Sequence, residues 1–386
     1  MSERNRKEHI RPTRQKPSEN TISVGNFDYT IFITVILLTL IGIVMVFSSS
    51  YYMATIRFNN MYHFVSRQAA AALLGFIAMI FMAYFKYDRL KRFSLPLYIV
   101  SMVLLVFVSF FGEEVGGARR WIAVPVIGQF QPSEVAKLAI ILMVASFVSK
   151  HKNMLKKWGG TITLGLLVAA CCLVIFFGTN NASSAIIIGV IGFGMIFIAS
   201  PYTAVFGVAG AIGIGAGWFL LSGDDGFRGG RVAAWRDPFA FRQGLGFQTI
   251  QSLYAIASGG MFGLGLGQSR QKLGFIPEAH NDIIFSIIAE ELGLVGAGLV
   301  LFLFAVLVWR AIKVAINAPD LFGSLIAAGI ALMIGSQVVI NVAVVTNTIP
   351  NTGVPLPFIS YGGTSLTILT FCMGILLNIS RYSKKA

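Results

Sequence analysis

Ten apolar runs dominate the chain, at about 30–50, 64–85, 95–111, 133–149, 161–177, 184–199, 202–221, 283–308, 321–345 and 364–380. Runs of this length match the hydrocarbon core of a bilayer, which about 20 helical residues cross. Inside lipid every backbone amide needs an internal partner, so only helices or closed barrels are possible. Turn residues interrupt these runs too seldom for a strand-built barrel. The expected fold is therefore an all-α polytopic membrane protein with about ten transmembrane helices and one large extracytoplasmic loop. Composition agrees, since 56% of the 386 residues are hydrophobic and 12% charged, with a mean hydropathy of +0.76. Soluble domains carry roughly a quarter charged residues, so a soluble, secreted or disordered protein is excluded.

Lysine and arginine favour the cytoplasmic side of a membrane. With the N-terminus inside, the tail to Phe27 and the segments 86–94, 150–160, 309–320 and 381–386 hold 19 of the 30 basic residues. The other face holds 11, in company with ten of the 16 acids. Both termini are therefore expected in the cytoplasm. Orientation and anionic membrane lipids account for the net charge of +14, and nucleic acid is not an expected partner. Residues 1–29 read as a basic cytoplasmic tail, 30–380 as the membrane domain and 381–386 as a second short basic tail. The first apolar run is too long for a cleaved signal and lacks a small-residue cleavage site, so it reads as a retained anchor.

Cys171, Cys172 and Cys372 lie in apolar runs and supply neither a disulfide framework nor a metal set. Trp121, Trp158, Trp218 and Trp309 fall near expected helix ends, at headgroup level. Gly213-x-x-x-Gly217 would let helices approach closely. Asn181-Ala182-Ser183 matches a glycosylation sequon, which in so short a loop reads as chance.

The long connection 222–282 faces outward. It carries Arg228, Arg231, Trp235 and Asp237, an apolar helical stretch Gln248–Ser258, a glycine run Gly259–Gly267, and Pro277-Glu278-Ala279-His280-Asn281-Asp282. Fixed aromatics, charges and glycine hinges read as a covering for an active site; a folded plug between helices is the structural alternative. Asp282 stands where the loop ends and the next helix begins. It could cap that helix, favoured by the dipole, or act as a general base on a lipid-borne substrate at the outer membrane edge. His280 is a rival base. Glu290 and Glu291 lie deeper in the same expected helix, where acids are costly and usually functional. On a helix through all three, at most one of them shares the face of Asp282.

A second constellation, Gln131–Lys137, opens the fourth helix. Pro132 and Glu134 are ordinary start signals. Lys137, one turn inside an apolar helix, is unfavourable unless paired, and Glu134 at i−3 is placed to pair with it. Arg119 and Arg120 just before it are outward cations that could hold a diphosphate through charge-assisted hydrogen bonds. Interfacial anchoring is the alternative role for Arg120 and Lys137. A third outward loop, 350–365, contains three prolines and three glycines. Irregular backbone of this kind at membrane depth must be buried in protein or line a cavity.

These residues resemble the SEDS family of bacterial cell-wall proteins, typified by FtsW and RodA. The resemblance covers essentially all ten helices and rests on Val46-Phe47-Ser48-Ser49-Ser50, Gln131–Lys137, Arg228-x-x-Arg231, Gln268–Asp282, Glu290-Glu291-Leu292-Gly293 and Pro355–Ser365. Arg228-x-x-Arg231 with Lys272-Leu273 and Glu278-Ala279-His280 leans toward the FtsW branch and its sporulation relatives; Thr352–Pro355 would also fit the RodA branch. What the resemblance implies is a peptidoglycan glycosyltransferase of the cytoplasmic membrane. It would polymerise lipid II into undecaprenyl-diphosphate-linked glycan outside that membrane, with a class B penicillin-binding protein as transpeptidase partner. The family's essential acid, in a His-Thr-Asp-Phe stretch, corresponds to Asp282 in His280-Asn281-Asp282-Ile283. The family's Pro-Asp-Leu-Gly-Thr before the sixth helix is replaced by Asn180–Ser184, which removes an outward carboxylate.

The chemistry suits this residue set. A sugar hydroxyl attacking an anomeric carbon that bears a diphosphate needs one base, and the leaving group needs cations or metal rather than an acid. Asp282 would be the catalytic base, with Arg119, Glu134, Lys137, Arg228, Arg231 and His280 binding substrate. A glycoside hydrolase would require a pair of carboxylates. A single displacement inverts the anomeric centre. No metal site stands out, although a divalent ion, Mg or Mn, could accompany the lipid diphosphate. The rival readings are a flippase for lipid-linked oligosaccharide, which would show broken helices and paired repeats not evident here, and a non-catalytic scaffold.

Overall fold

The structure is a computed structural model that describes residues 25–115, 118–124, 128–151, 158–201, 227–244, 246–273 and 278–383. The N-terminal basic tail, the expected helix 202–221 with Gly213, Gly217 and Trp218, and Pro277 lie outside the described residues. The spanning helices are α1 (Tyr29–Phe58), α2 (His63–Tyr84), α3 (Leu90–Phe111), α4 (Pro132–Lys150), α5 (Trp158–Leu173, extended by a π turn to Gly178) and α6 (Ala182–Ala199). After two short helices, α7 (Phe227–Arg236) and α8 (Phe247–Gly259), come α9 (Ile284–Asn317), α10 (Leu321–Val345) and α11 (Gly363–Tyr382). Nine of the described helices are long and apolar enough to cross a membrane. The protein is an all-α, multi-pass membrane protein.

Apolar residues surround these helices on every side, so burial rather than amphipathicity separates core from lipid face. In α4, α11 and α10 the apolar window is 78%, 67% and 56% buried, against 22% in α2 and 28% in α3. The first three form the centre and the last two the rim. The ends of α2 and α9 and the starts of α1 and α10 meet on one face, here the tail face. There Asp28 caps α1 through Thr30 and Ile31 and also holds Arg310 of α9, whose Nε lies 2.8 Å away. Tyr87 and Lys91, beyond α2, bond Asp320 at the start of α10. The opposite, loop face carries everything chemically unusual.

Between the expected runs 95–111 and 133–149, an antiparallel sheet forms on the loop face: β1 (Glu113–Val115), β2 (Ala118–Val124) and β3 (Gly128–Phe130). Register pairs Glu114 with Arg119 and Ile122 with Phe130. Strands of three to seven residues leave little periodicity to read. Trp121 consequently sits in a strand, not at a helix end.

The connection between α8 and α9 does not stay on the surface. Gly293 breaks α9 with φ 71° and ψ −172°, a conformation open essentially to glycine alone. The exposed amides and carbonyls are taken up by the segment after α8. Leu294 and Val295 donate to the carbonyls of Gly260 and Met261 (2.9 and 3.1 Å), while Leu264 and Gly265 donate to those of Glu290 and Glu291 (2.9 and 3.0 Å). A Cβ on Gly293 would stand 2.3 Å from the Gly263 amide nitrogen. A broken helix, the transporter hallmark not expected from the sequence, is therefore present. It escaped notice because a single glycine in an apolar run looks like ordinary packing.

Side chains knot the same junction. Lys272 Nζ lies 2.7 Å from Glu291 and 3.0 Å from Ser48 of α1, whose hydroxyl donates to both Glu291 oxygens (2.7 and 2.8 Å). Glu290 accepts from the Ser269 hydroxyl and from the Arg270 amide at 3.0 Å. Both intramembrane acids are thus consumed in pinning 260–273 to the bundle.

Candidate active site

Asp282 is not a helix cap. α9 begins at Ile284, its preceding position is Ile283, and no side chain caps it. Asp282 belongs instead to a turn in which Asn281 donates its amide to the Glu278 carbonyl at 2.9 Å. The angular comparison with Glu290 and Glu291 therefore does not apply. The turn is fixed from α10, where the Asn341 amide donates to the carbonyls of Asp282 and Val354, each at 2.7 Å. The carboxylate lies beside Gly353, whose φ is 67° and where an added Cβ would come within 3.4 Å of Asp282 Oδ2.

The loop 350–362 supplies this wall and runs through protein, as its irregular backbone at membrane depth requires. Val354, Leu356, Phe358 and Ile359 are buried, and the Phe358 carbonyl passes so close to Gly42 of α1 that a Cβ there would sit 2.5 Å away. Ser360 donates to the Asn281 carbonyl (2.7 Å) and accepts from the Leu356 amide (2.8 Å). Gln68 of α2 donates to the Ser360 carbonyl and accepts from the Gly362 amide, both at 3.2 Å. The Ser183 hydroxyl, in the stretch that replaces the family's acidic motif, donates to the Thr352 carbonyl. Its neighbour Asn181 caps α6 by accepting from the Ser184 amide.

Burial pushes the Asp282 carboxyl up to about 6, and Glu278 adds to the rise, while Arg231 and Arg120 oppose it. The same burial lowers both guanidinium groups from their usual range. Arg231 of α7 donates to the Asn351 carbonyl at 3.4 Å. Arg120, on β2, keeps a buried Nε without a hydrogen-bond partner. Alternation along the strand sends its neighbour the other way: Arg119 is about half exposed and pairs with Glu114 at 3.5 Å. On β2 it is Arg120, not Arg119, whose charge acts on Asp282. Arg228 lies on α7 three residues before Arg231, and its side chain is outside the described residues.

Glu134 and Lys137 do pair, at 2.8 Å, with both side chains almost wholly enclosed. Ser365, at the start of α11, donates to the second Glu134 oxygen at 3.1 Å. Thr364 beside it donates to the Gln129 carbonyl at 2.8 Å. The loop leading into α11 therefore ties the Asp282 turn to the Glu134–Lys137 pair.

His280 has a different character from the one its sequence suggested. Its ring packs between Phe64 and Tyr361, with centroids 4.3 and 5.5 Å away, and the Tyr361 amide donates to its carbonyl. Burial lowers its pKa to about 4, with Arg57 adding to the effect, so the ring is neutral at physiological pH. It presents no charge to a diphosphate and, at 3% exposure, little access as a base. The residues that sequence reasoning missed are Asn341, Ser360 and Gln68. A buried amide in an otherwise apolar helix is the signal that marks Asn341 and Gln68.

The family profile described as cell cycle protein, spanning FtsW, RodA and SpoVE, matches residues 28–385. Stage V sporulation protein E of Bacillus subtilis is 42% identical over 92% of this chain and 96% of its own length. The probable peptidoglycan glycosyltransferase FtsW of Geobacter sulfurreducens is 36% identical over 95% of this chain and 98% of its own length. Among solved structures, a chain of a peptidoglycan synthase complex that coordinates polymerization and crosslinking is 27% identical. It superimposes with a TM-score of 0.76 over 92% of this chain and 98% of that one. The rod shape determining protein RodA of Thermus thermophilus is 25% identical, with a TM-score of 0.67 over 93% and 98%. A match that runs from Asp28 to Lys385 takes in every described helix and every residue of the site, and the chain belongs to the FtsW/RodA/SpoVE family of cell cycle proteins, the SEDS family.

Proposed function

We propose that this protein is a peptidoglycan glycosyltransferase that polymerises lipid II at the outer face of the cytoplasmic membrane, with both termini in the cytoplasm and Asp282 as general base. The observation that carries the reading is one part-buried carboxylate, raised to about 6, in the field of two part-buried arginines at the loop-face end of the bundle. A base with that affinity is ionised at neutral pH and still avid enough to accept a proton.

Asp282 takes the proton of the acceptor sugar's 4-hydroxyl as its oxygen bonds the donor's anomeric carbon. The bond from that carbon to the lipid diphosphate breaks, and the undecaprenyl diphosphate leaves with the electron pair. Arg120 and Arg231 face the place where that negative charge develops. Attack opposite the leaving group inverts the α-linked donor to a β-linked product. Among the described residues no three His, Cys, Asp or Glu groups gather to hold a metal ion. A divalent ion, Mg or Mn, would be held by the diphosphate itself and would supply further charge neutralisation, leaving Asp282 free as the base. A class B penicillin-binding protein is the proposed partner, in keeping with the polymerizing and crosslinking complex of the solved relative.

The break in α9 favours a second reading, a lipid II flippase, because broken helices line transport paths. Here four of the freed backbone groups are taken by residues in 260–265, which supports a sealed junction over a gate. Purified protein with its partner, given lipid II in detergent where no second leaflet exists, separates the two: glycan strands are expected. Asp282→Asn, nearly isosteric, should lower polymerisation by about 10²–10⁴ with partner binding intact. An Asn variant that polymerises near the parent rate overturns the assignment of the base, and a parent that makes no glycan overturns the enzyme.

A further inference from the structure

On the tail face, away from Asp282, the start of α1 and the ends of α2 and α11 leave a cavity of about 160 Å³ lined by Phe27, Phe32, Ile80, Ala83, Tyr84 and Leu377. Its floor, Ala83 and Leu377, is buried, while Ile80 and Tyr84 are exposed and face outward from the bundle. A wholly apolar groove that opens sideways among membrane-spanning helices is accessible to lipid chains. What distinguishes this one is its lip.

Arg381 lies with its guanidinium 4.7 Å from the Tyr84 ring centre and donates to the carbonyls of Ala83 (3.2 Å) and Gly25 (3.5 Å). Lys86, directly after Tyr84 and Phe85, and Arg89, three residues further on, are exposed. None of these three cations is in an ion pair among the described residues. The nearby acids are engaged elsewhere: Asp28 holds Arg310, Asp88 holds Lys91, and Asp320 bonds Lys91 and Tyr87. The groove is therefore apolar below and uncompensated positive above, at the level where helices end and headgroups begin. Guanidinium groups bind phosphate through planar, paired hydrogen bonds, and basic pockets between spanning helices select anionic lipids.

We propose that this groove is a binding site for an anionic phospholipid, one acyl chain lying against Ile80, Ala83 and Leu377 and the headgroup phosphate held by Arg381 within the field of Lys86 and Arg89. The site lies outside the catalytic residues and does not depend on the glycosyltransferase reading.

The test places tryptophan reporters in the full chain, reconstituted in mixed phosphatidylcholine and phosphatidylglycerol vesicles with phosphatidylglycerol as the minor lipid. Bromine, a contact quencher, is carried on the acyl chains either by the phosphatidylglycerol or by an equal amount of the phosphatidylcholine, so total composition never changes. Each reporter's emission is read as the difference from the chain lacking it. With Ile80→Trp, brominated phosphatidylglycerol should quench as if enriched about fivefold, the factor one basic group near anionic lipid supplies. With Ile316→Trp, exposed on the same face at the end of α9 and one turn from the single cation Lys313, the enrichment should be clearly smaller than at Ile80→Trp. Arg381→Gln should lower the enrichment at the Ile80→Trp reporter, leaving only what Lys86 and Arg89 supply. Lys86→Gln with Arg89→Gln, which break no hydrogen bond in the structure, should lower the preference without touching the fold. Equal quenching at Ile80→Trp in the parent, the same enrichment at Ile316→Trp, or a preference that survives all three substitutions overturns the proposal.

Discussion

Lys272→Met removes the one ammonium that faces Glu291, at a junction where both side chains are almost completely enclosed, 1% and 0% exposed. The variant leaves the carboxylate with the Ser48 hydroxyl and the Ser269 amide, the latter at a long 3.4 Å, and no countercharge. Glu291→Gln does the reverse, leaving an ammonium against Ser48 and the Tyr51 ring. Breaking a buried ion pair from one side typically costs about 3–5 kcal/mol, whereas neutralising both partners is often close to neutral. Each single variant should therefore lose about 3–5 kcal/mol, and Lys272→Met with Glu291→Gln should lose less than either alone. Pulse proteolysis across a series of denaturing-detergent fractions reads these differences, and hydrogen exchange should show the amides of Leu264 and Gly265 opening in the single variants. Losses that add in the double variant, or single variants as stable as the parent, would show that the junction is not held by charge and refute the reasoning.

Glu134→Ala and Lys137→Ala should each lose most polymerase activity, and the double variant should cost less than the sum, as for coupled neighbours; additive losses in single-turnover rates would mean that each merely anchors α4. Polymerisation should fall as pH drops through about 6, since Asp282 must be ionised to accept a proton and burial holds it above the ordinary value of 3.8. Because Arg231 opposes that rise, Arg231→Gln should move the midpoint upward, and a pH–rate profile centred near 4 in the parent would contradict the assignment. Arg120→Ala should lower the polymerisation rate by about 10²–10³, as for a lost oxyanion donor, while Arg119→Ala, on the other side of the strand, stays near the parent rate. The reverse order would mean that β2 presents its other face.

Spans were legible because lipid imposes one rule on every helix: the expected run 321–345 coincides with α10, and most other boundaries agree within a few residues. The pairing of Glu134 with Lys137 was legible for the same reason, since a lone charge inside an apolar helix demands a partner nearby. What could not be read depended on partners distant in sequence. Whether Arg119 or Arg120 faces Asp282 is decided by the strand register that pairs Glu114 with Arg119 and Ile122 with Phe130, and one step of register exchanges the two. His280 looked like a cation or base until Phe64 and Tyr361, 216 and 81 positions away, enclosed it. Glu290 and Glu291 looked functional because acids at that depth usually are; Ser269, Lys272 and Ser48 give them structural employment instead.

The break at Gly293 also sets an order of events during biogenesis. As α9 enters lipid, the carbonyls of Glu290 and Glu291 and the amides of Leu294 and Val295 have no partners within their own helix. Their partners, residues 260–265, lie upstream and leave the ribosome first. The segment preceding α9 must therefore already stand at the loop face, or partition with the helix, when the helix arrives. A translocation machinery that released α9 alone would leave those four groups bare in hydrocarbon, at several kcal/mol each. The glycine thus makes the insertion of one helix conditional on the prior placement of the segment before it.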